Sequence, residues 1–314
     1  MGEVVGAGLL SHVPTIMLPL ETRLELNEGK EISLVPALKQ LRAEKFEALD
    51  YDTVIVLDSH WFTTVEFIVT SHELRAGLFT AEELPRGMCR IPYEWRGDPG
   101  LAEAIAAQAE AHGTWITAID DPYLPLYYPS INMWSYLGKG LDKQWISVSV
   151  AQTGDTEDYL RVGRAIGAAI RETDRKVVII ATGSMSHTFY PLREMRLHEA
   201  SDPSHIFSDK AREMDYERLD WFSEGRHDRV LETMPEFLTV RPEGKFAHYL
   251  MMAAALGETD FAAPGVQYGD YENSVGTSQD DGGCRISRHE GAPLGLLAPL
   301  VGLGLAWRAR RRQR

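Results

Sequence analysis

Cysteine is nearly missing from this 314-residue chain, which has only Cys89 and Cys284. Two thiols so far apart build no disulfide framework, and such sparing use fits a reducing compartment. Positive charge is also short. Lys and Arg number 32 against 46 Asp and Glu, a formal net charge of −14, so most of the surface should repel phosphate backbones and no nucleic-acid partner is expected. A basic segment leading into an uninterrupted apolar one is lacking at the start, because Pro14 and Pro19 break the apolar residues after Leu10. The expectation is a cytoplasmic protein. Internal repeats and linker-like stretches are lacking too, which argues one domain over 1–279. The remainder, 280–314, begins DDGG, runs apolar from Ala292 to Trp307 and closes on Arg308, Arg310, Arg311, Arg312 and Arg314. That run falls short of the roughly 20 residues a membrane span needs, and Pro293 and Pro299 interrupt it. Contact with a membrane surface or a sorting role is open to such a tail, but the expected reading is an appendage outside the fold.

What the chain does contain is ordinary globular material, 44% hydrophobic and 25% charged, enough for a sizeable core. Val4 to Leu10, Thr53 to Leu57, Trp145 to Val150 and Lys176 to Ala181 are short aliphatic runs that predict fully buried strands. Between them lie helical patterns over Leu34 to Leu49, Leu101 to His112 and Thr156 to Glu172, the last with Asp155 placed to cap its start. Ser208 to Ser223 and Glu243 to Leu256 add helices to the second half. Buried strands alternating with amphipathic helices predict an α/β fold, a single layered domain with a central, mainly parallel sheet flanked by helices.

Each of three predicted strands runs into a histidine. Val4 to Leu10 leads to His12, Thr53 to Leu57 leads to His60 within VIVLDSHW, and Lys176 to Ala181 leads to His187 within TGSMSH. If those strands are parallel, their ends share one sheet edge, the place where open α/β sheets collect ligands. One such histidine is weak evidence; three in the same context carry weight. His72, His112 and His227 sit in segments that look like loops or solvated helix faces, and a solvated role is expected for each. A histidine cluster alone does not separate a metal site from a general-base site. Imidazole suits several transition metals, whereas two histidines with one carboxylate form the facial arrangement of non-haem Fe(II) oxygenases. Glu243, in Arg241-Pro242-Glu243-Gly244 ahead of a helical pattern, is a candidate for that carboxylate, although a glutamate at a helix N-terminus is also favoured electrostatically without any further role.

SHVP at Ser11 to Pro14, DTVIVLDSHW at Asp52 to Trp61, ELP at Glu83 to Pro85, ATGSMSHTF at Ala181 to Phe189 and PEGKFAHYLMMAAALG at Pro242 to Gly257 occur in register over Met1 to Gln279. Together they resemble the class III extradiol ring-cleaving dioxygenases of the protocatechuate 4,5-dioxygenase β-subunit superfamily, and within it the homoprotocatechuate 2,3-dioxygenase branch. The resemblance implies Fe(II) held by His12, His60 and Glu243, a catecholic substrate and O2, an acid/base role for His187, and a homo-oligomer. A catechol chelating through both oxygens needs at least one of them ionised, and a histidine is suited to take that proton near neutral pH. The sequence departs from the resemblance in two places. Where many members carry a proton-donating histidine in mid-chain, this chain has Leu126-Tyr127-Tyr128-Pro129-Ser130. Tyr128 is the match there, as a hydrogen-bond donor or as a stacking or core residue. After Gln279 the family's further strand gives way to DDGG, which would expose a sheet edge or trim the pocket.

Other readings remain at this stage. Ring cleavage of a 2-aminophenol fits the same residues. Gly183-Ser184-Met185-Ser186-His187 after a strand also suggests a phosphate-binding loop or hydrolase centre, but it has neither G-x-S-x-G spacing nor a basic residue. A non-enzymatic homologue keeping the crevice as a binding surface is the third. For a substrate carboxylate, Arg90, Arg193 and Arg196 are the candidate partners.

Overall fold

The computed structural model of the chain describes residues 1–85, 87–273 and the backbone of 285–287. Among the described residues ten strands make up the sheet: β1 Glu3–Leu10, β2 Thr53–Thr63, β3 Phe67–Thr70, β4 Leu74–Phe79, β5 Ile91–Arg96, β6 Ile116–Ile119, β7 Gln144–Ala151, β8 Lys176–Thr182, β9 Gly265–Gln267 and β10 Arg285–Ser287. Their order is β4-β5-β7-β2-β8-β1-β10-β9, with β3 pairing β6 and β7 off this path. The central four, β7, β2, β8 and β1, are parallel to one another, and β4 against β5 and β10 against β1 and β9 are antiparallel. This is the layered α/β domain the alternation predicts. The aliphatic runs are central strands because both of their faces are covered: Val54, Ile55, Val56 and Leu57 have no exposed surface, nor do Val177, Ile179 and Ile180. One core packs Ile55 and Leu57 against the helices Thr156–Glu172 and Ala247–Leu256; a second, on the opposite face, packs Val54 and Val56 against Leu34–Leu41 and Tyr128–Met133.

Local chemistry sets the helix ends. Thr156–Glu172 begins with a reciprocal capping box between Asp155 and Asp158. Pro99–Ala107 starts ahead of the predicted Leu101 because the Asp98 carboxylate accepts from Leu101 N at 3.1 Å. The pattern from Leu34 is α-helical only to Leu41 and then widens into a π turn, Glu47 N bonding to Arg42 O at 3.0 Å. Asp209–Glu224 follows a Ser208 cap.

Several expectations are corrected. β2 runs on through Asp58, Ser59, His60 and Trp61 to Thr63, so these residues lie inside a strand, at an irregularity where its register with β7 shifts between Leu57 and Phe62. The helix predicted from Glu243 starts at Ala247, because Gly244, Lys245 and Phe246 are left-handed. His72 and His227 are buried rather than solvated: distant parts of the chain bring hydrogen-bond partners inward, His72 Nε2 lying 2.7 Å from Asp121 O, and His227 accepting from Tyr249 Oη at Nδ1 (2.8 Å) and donating from Nε2 to Ala263 O (3.0 Å). Beyond the expected boundary at Gln279, β10 inserts between β1 and β9, so the edge expected to lie open is paired. The rest of the 280–314 tail lies outside the described residues. Among the described residues no helix is long and apolar enough to cross a membrane.

Candidate active site

Parallel pairing brings the ends of β1, β2 and β8 to one edge, where His12, His60 and Glu243 meet. His12 Nε2 is 3.4 Å and His60 Nε2 3.5 Å from the same oxygen, Glu243 Oε1. One donor atom from each of the three lies within 4.8 Å of the others. His12 and His60 stand edge to face, ring centroids 4.9 Å apart. Tyr128, at the start of its short helix, is buried and places Oη 2.8 Å from His60 Nε2. His187 is electrostatically coupled to both Glu243 and His60. His60 and His187 alone among the clustered imidazoles keep partial exposure.

Each of these side chains is anchored by its neighbours. Asn132 Nδ2 donates to the carbonyls of His12 (2.7 Å) and Val13 (3.3 Å), pinning the chain just after β1. Buried Asp58 accepts from the backbone N–H of His60 at 3.0 Å and from Ser130 Oγ at 2.8 Å. Burial pushes the Asp58 carboxyl up to about 6, against the hydrogen bonds that favour its charged form. Glu243 accepts from Ser184 N at 2.7 Å and from Ser59 Oγ. It is no helix cap, since no side chain caps the helix that follows.

The backbone around Glu243 is unusual. Arg241, Gly244, Lys245 and Phe246 have φ of 53°, 53°, 57° and 62°, a conformation costing roughly 1–2 kcal/mol per residue for side chains other than glycine. Such a run persists only where its surroundings over-determine it. Here Glu243 N donates to Met185 O at 3.0 Å, Lys245 Nζ donates to Gln152 O (3.0 Å) and Gly154 O (2.8 Å), and Phe246 stacks on Tyr249 and meets Phe237 edge-on. The turn aims a carboxylate at two imidazoles, which an ordinary helix start would not do.

Burial sets the charge states. It pushes the His12 imidazole down to about 3, Glu243 opposing and His60 adding to the shift, so His12 is neutral at pH 7. His187 is also lowered by burial, with Glu243 opposing. Burial drives the Glu243 carboxyl up, but the facing His12, His187, His60 and His248 outweigh it, and the group lies well below the usual carboxylate range. Burial raises the Tyr128 phenol well above 10. The site therefore offers neutral imidazole nitrogens, an ionised carboxylate and a phenol that keeps its proton.

Five residues singled out by sequence, His12, His60, Tyr128, His187 and Glu243, thus come together. Of the three arginines, Arg193 pairs with neighbouring Glu194, and Arg90 and Arg196 are exposed. Four of the five amides in the loop Gly183–His187 are already engaged. The Gly183, Ser184, Ser186 and His187 N–H groups go to Leu10 O, Glu243 Oε2, Asp215 Oδ1 and Arg241 O, which argues against the anion-loop reading. Sequence reasoning missed His248, fully buried on Ala247–Leu256, its ring packed where a side chain on Gly183 would have to sit. A histidine in an all-apolar helix was its only signal. Asn132 and Ser184 gave none, since single polar residues near strand ends are common.

Donor atoms on a common ion at about 2.0–2.2 Å would lie within a few ångströms of one another, and the spacing here is of that size. Neutral imidazole nitrogens and an ionised carboxylate are the right chemistry. Fold and site together define an α/β protein with a two-histidine, one-carboxylate donor set at its ligand-binding edge. The sequence carries this further: residues 6–275 match the family model described as the catalytic LigB subunit of aromatic ring-opening dioxygenase, and the chain belongs to that family. It is an extradiol dioxygenase, an oxidoreductase. It is similar to the 3,4-dihydroxyphenylacetate 2,3-dioxygenase of Escherichia coli, at 27% identity over 262 residues, 82% of this chain and 91% of that one. An uncharacterized protein from Escherichia coli K12 shares the fold with a TM-score of 0.56 at 15% identity, over 90% of this chain and 99% of its own.

Proposed function

We propose that the chain opens a catecholic ring by extradiol (meta) cleavage with O2, using Fe(II) held by His12, His60 and Glu243, and gives a ring-opened product of the hydroxymuconic-semialdehyde type. The observation carrying this reading is the convergence of two imidazoles and one carboxylate, far apart in the chain, within 4.8 Å. Bound there, Fe(II) supplies open coordination positions for a diol and O2 and a charge that favours an ionised catechol.

The chain's own residues do the rest. Burial keeps the proton off His12, leaving a nitrogen lone pair to donate. Hydrogen bonds from Ser59 and Ser184 hold the Glu243 carboxylate in one orientation. His187, neutral near pH 7, takes the proton of a catechol hydroxyl onto a ring nitrogen and later returns it to the product side of the reaction. Tyr128 keeps its phenolic proton through the working pH range, and its Oη, 2.8 Å from His60 Nε2, is a hydrogen-bond donor at the edge of the donor set.

Protein loaded anaerobically with Fe(II) should, on admission of air, turn a catechol yellow and take up one O2 per ring. A panel of 3,4-dihydroxyphenylacetate, catechol, a chlorocatechol and 2-aminophenol ranks substrates on the same assay. His60→Ala and Glu243→Ala should lose iron and turnover together; full turnover in either refutes the ligand set. His187→Gln should keep its iron and lose about 10²–10⁴ in rate. Iron loss in that variant would make His187 a ligand.

A further inference from the structure

Glu243 and His187 lie on two segments that touch as a minimal antiparallel pair. Ser186 bridges to Pro242, Glu243 N donates to Met185 O at 3.0 Å, and His187 N donates to Arg241 O at 3.1 Å. The two groups that the reaction must hold in register are therefore tied through one residue between them, Ser186. A third element grips that residue. Asp215, fully buried on the helix Asp209–Glu224, accepts from Ser186 N at 3.1 Å through Oδ1 and from Ser186 Oγ through Oδ2. Tyr271 Oη donates to the same Oδ2 at 2.8 Å. Neither Asp215 nor Tyr271 is a donor to the metal cluster, and nothing in the catalytic reading uses them.

Two bonds from one residue to one carboxylate fix position and rotation together, as a single bond does not, and charge-assisted bonds are the stronger kind. We propose that Asp215 is a positioning residue of the ring-opening reaction: through Ser186 it locks the loop carrying His187 in register with the turn carrying Glu243. This rests on the function proposed above. Its physical content is that His187 exchanges a proton with a ring held elsewhere, so a small displacement of its imidazole costs rate and leaves substrate binding largely intact.

The test compares the iron-loaded parent with Asp215→Asn, Tyr271→Phe, His187→Gln and the Asp215→Asn/His187→Gln double variant. Asparagine keeps the volume and an acceptor for Ser186 N but loses the charge. Asp215→Asn should lower kcat per bound iron about 10–100-fold with KM for the catechol changed less than about threefold. In the His187→Gln background the same change should cost less than about threefold, because its route to the chemistry has already been removed. Tyr271→Phe, which removes a donor to Asp215 without touching the loop, should leave kcat within about threefold. Equal losses in both backgrounds, or a lower melting temperature with kcat per iron unchanged, would overturn the proposal. Should Asp215→Asn not fold, Ser186→Ala removes the Oγ bond alone and must show a kcat loss that vanishes in the His187→Gln background; its absence is equally decisive. If the parent opens no ring at all, the proposed function fails on its own. The positioning is then read by NMR from the His187 ring protons, assigned with His187→Gln: Asp215→Asn or Ser186→Ala should shift them, and unmoved His187 signals would sink it.

Discussion

Replacing Gly244 by alanine isolates the energetics of the left-handed turn that presents Glu243. Space is available there: a Cβ on Gly244 would sit 3.6 Å from Ser59 Cβ and 3.7 Å from Ser59 O, ordinary van der Waals contact. Only the backbone objects, at φ +53°. That conformation costs alanine roughly 1–2 kcal/mol, and the stiffer unfolded chain returns roughly 0.4–1 kcal/mol, leaving a net loss of about 1 kcal/mol. For a domain of this size the melting temperature should fall by roughly 2 °C. The metal should not notice, because protein contacts already hold the turn: Met185 O on Glu243 N, Gln152 and Gly154 carbonyls on Lys245, and aromatic rings around Phe246. Iron affinity, measured by anaerobic titration, should stay within about twofold of the parent. Gly29→Ala is the control, at φ +83° with nothing within 4 Å, and should lose similar stability without any effect on iron. A fall in iron affinity of about fivefold, the equivalent of about 1 kcal/mol, with no change in the melting temperature of the iron-free protein would show that the turn forms only on binding. The account of a prearranged carboxylate would then be wrong.

Tyr128→Phe should keep iron, since the phenol is outside the donor set, and lower kcat about tenfold for the loss of one hydrogen bond worth roughly 1–1.5 kcal/mol; unchanged turnover with iron retained reduces Tyr128 to a packing residue. Because burial lowers the His187 pKa, the base stays unprotonated as pH falls past the ordinary imidazole value near 6.5, so the acid limb of kcat/KM should lie below 6.5 and be lost in His187→Gln. An acid limb above 6.5 contradicts the shift. Buried His227 is pushed down to about 4 by desolvation. Between pH 4 and 6.5 the unfolded chain therefore binds more protons than the folded one, and the contribution is intact above 6.5 and lost as pH falls towards 4. Urea midpoints should show a loss of up to about 3 kcal/mol from this group, reduced in His227→Phe, which fits the surrounding Phe222, Tyr249 and Phe261 rings.

Which parts of this were legible in the residues follows from how local each one is. The aliphatic runs of β1, β2, β7 and β8 declare themselves because a parallel strand is buried on both faces and has few other compositions available. The Asp155 cap is a contact over three residues. Histidines placed just past three such runs pointed to the carboxyl edge before any geometry was known. The shorter strands β4 to β6 and β9 were not legible, since their side chains are partly exposed and their pairing is set by neighbours distant in sequence; β3, buried over three of its four residues, is too short to show a pattern. His72 and His227 were misjudged for a related reason: whether a polar side chain is buried depends on hydrogen-bond partners supplied from far along the chain, Asp121 for one and Tyr249 and Ala263 for the other.

Glu243 shows the division most clearly. Its position ahead of a helical pattern suggested a cap, and nothing local could say otherwise, because a left-handed turn through Lys245 and Phe246 runs against the preferences of both residues. That conformation is held by Met185, Gln152, Gly154 and Phe237, which only the folded chain brings near. The sequence by itself determined the layered α/β frame and the residue types at its ligand-binding edge, since both follow from short-range pattern and burial. Tertiary structure alone decided that two imidazoles and a carboxylate share one small volume, and that Asp215 grips the loop between them, because those distances are sums over long stretches of chain that no local preference controls.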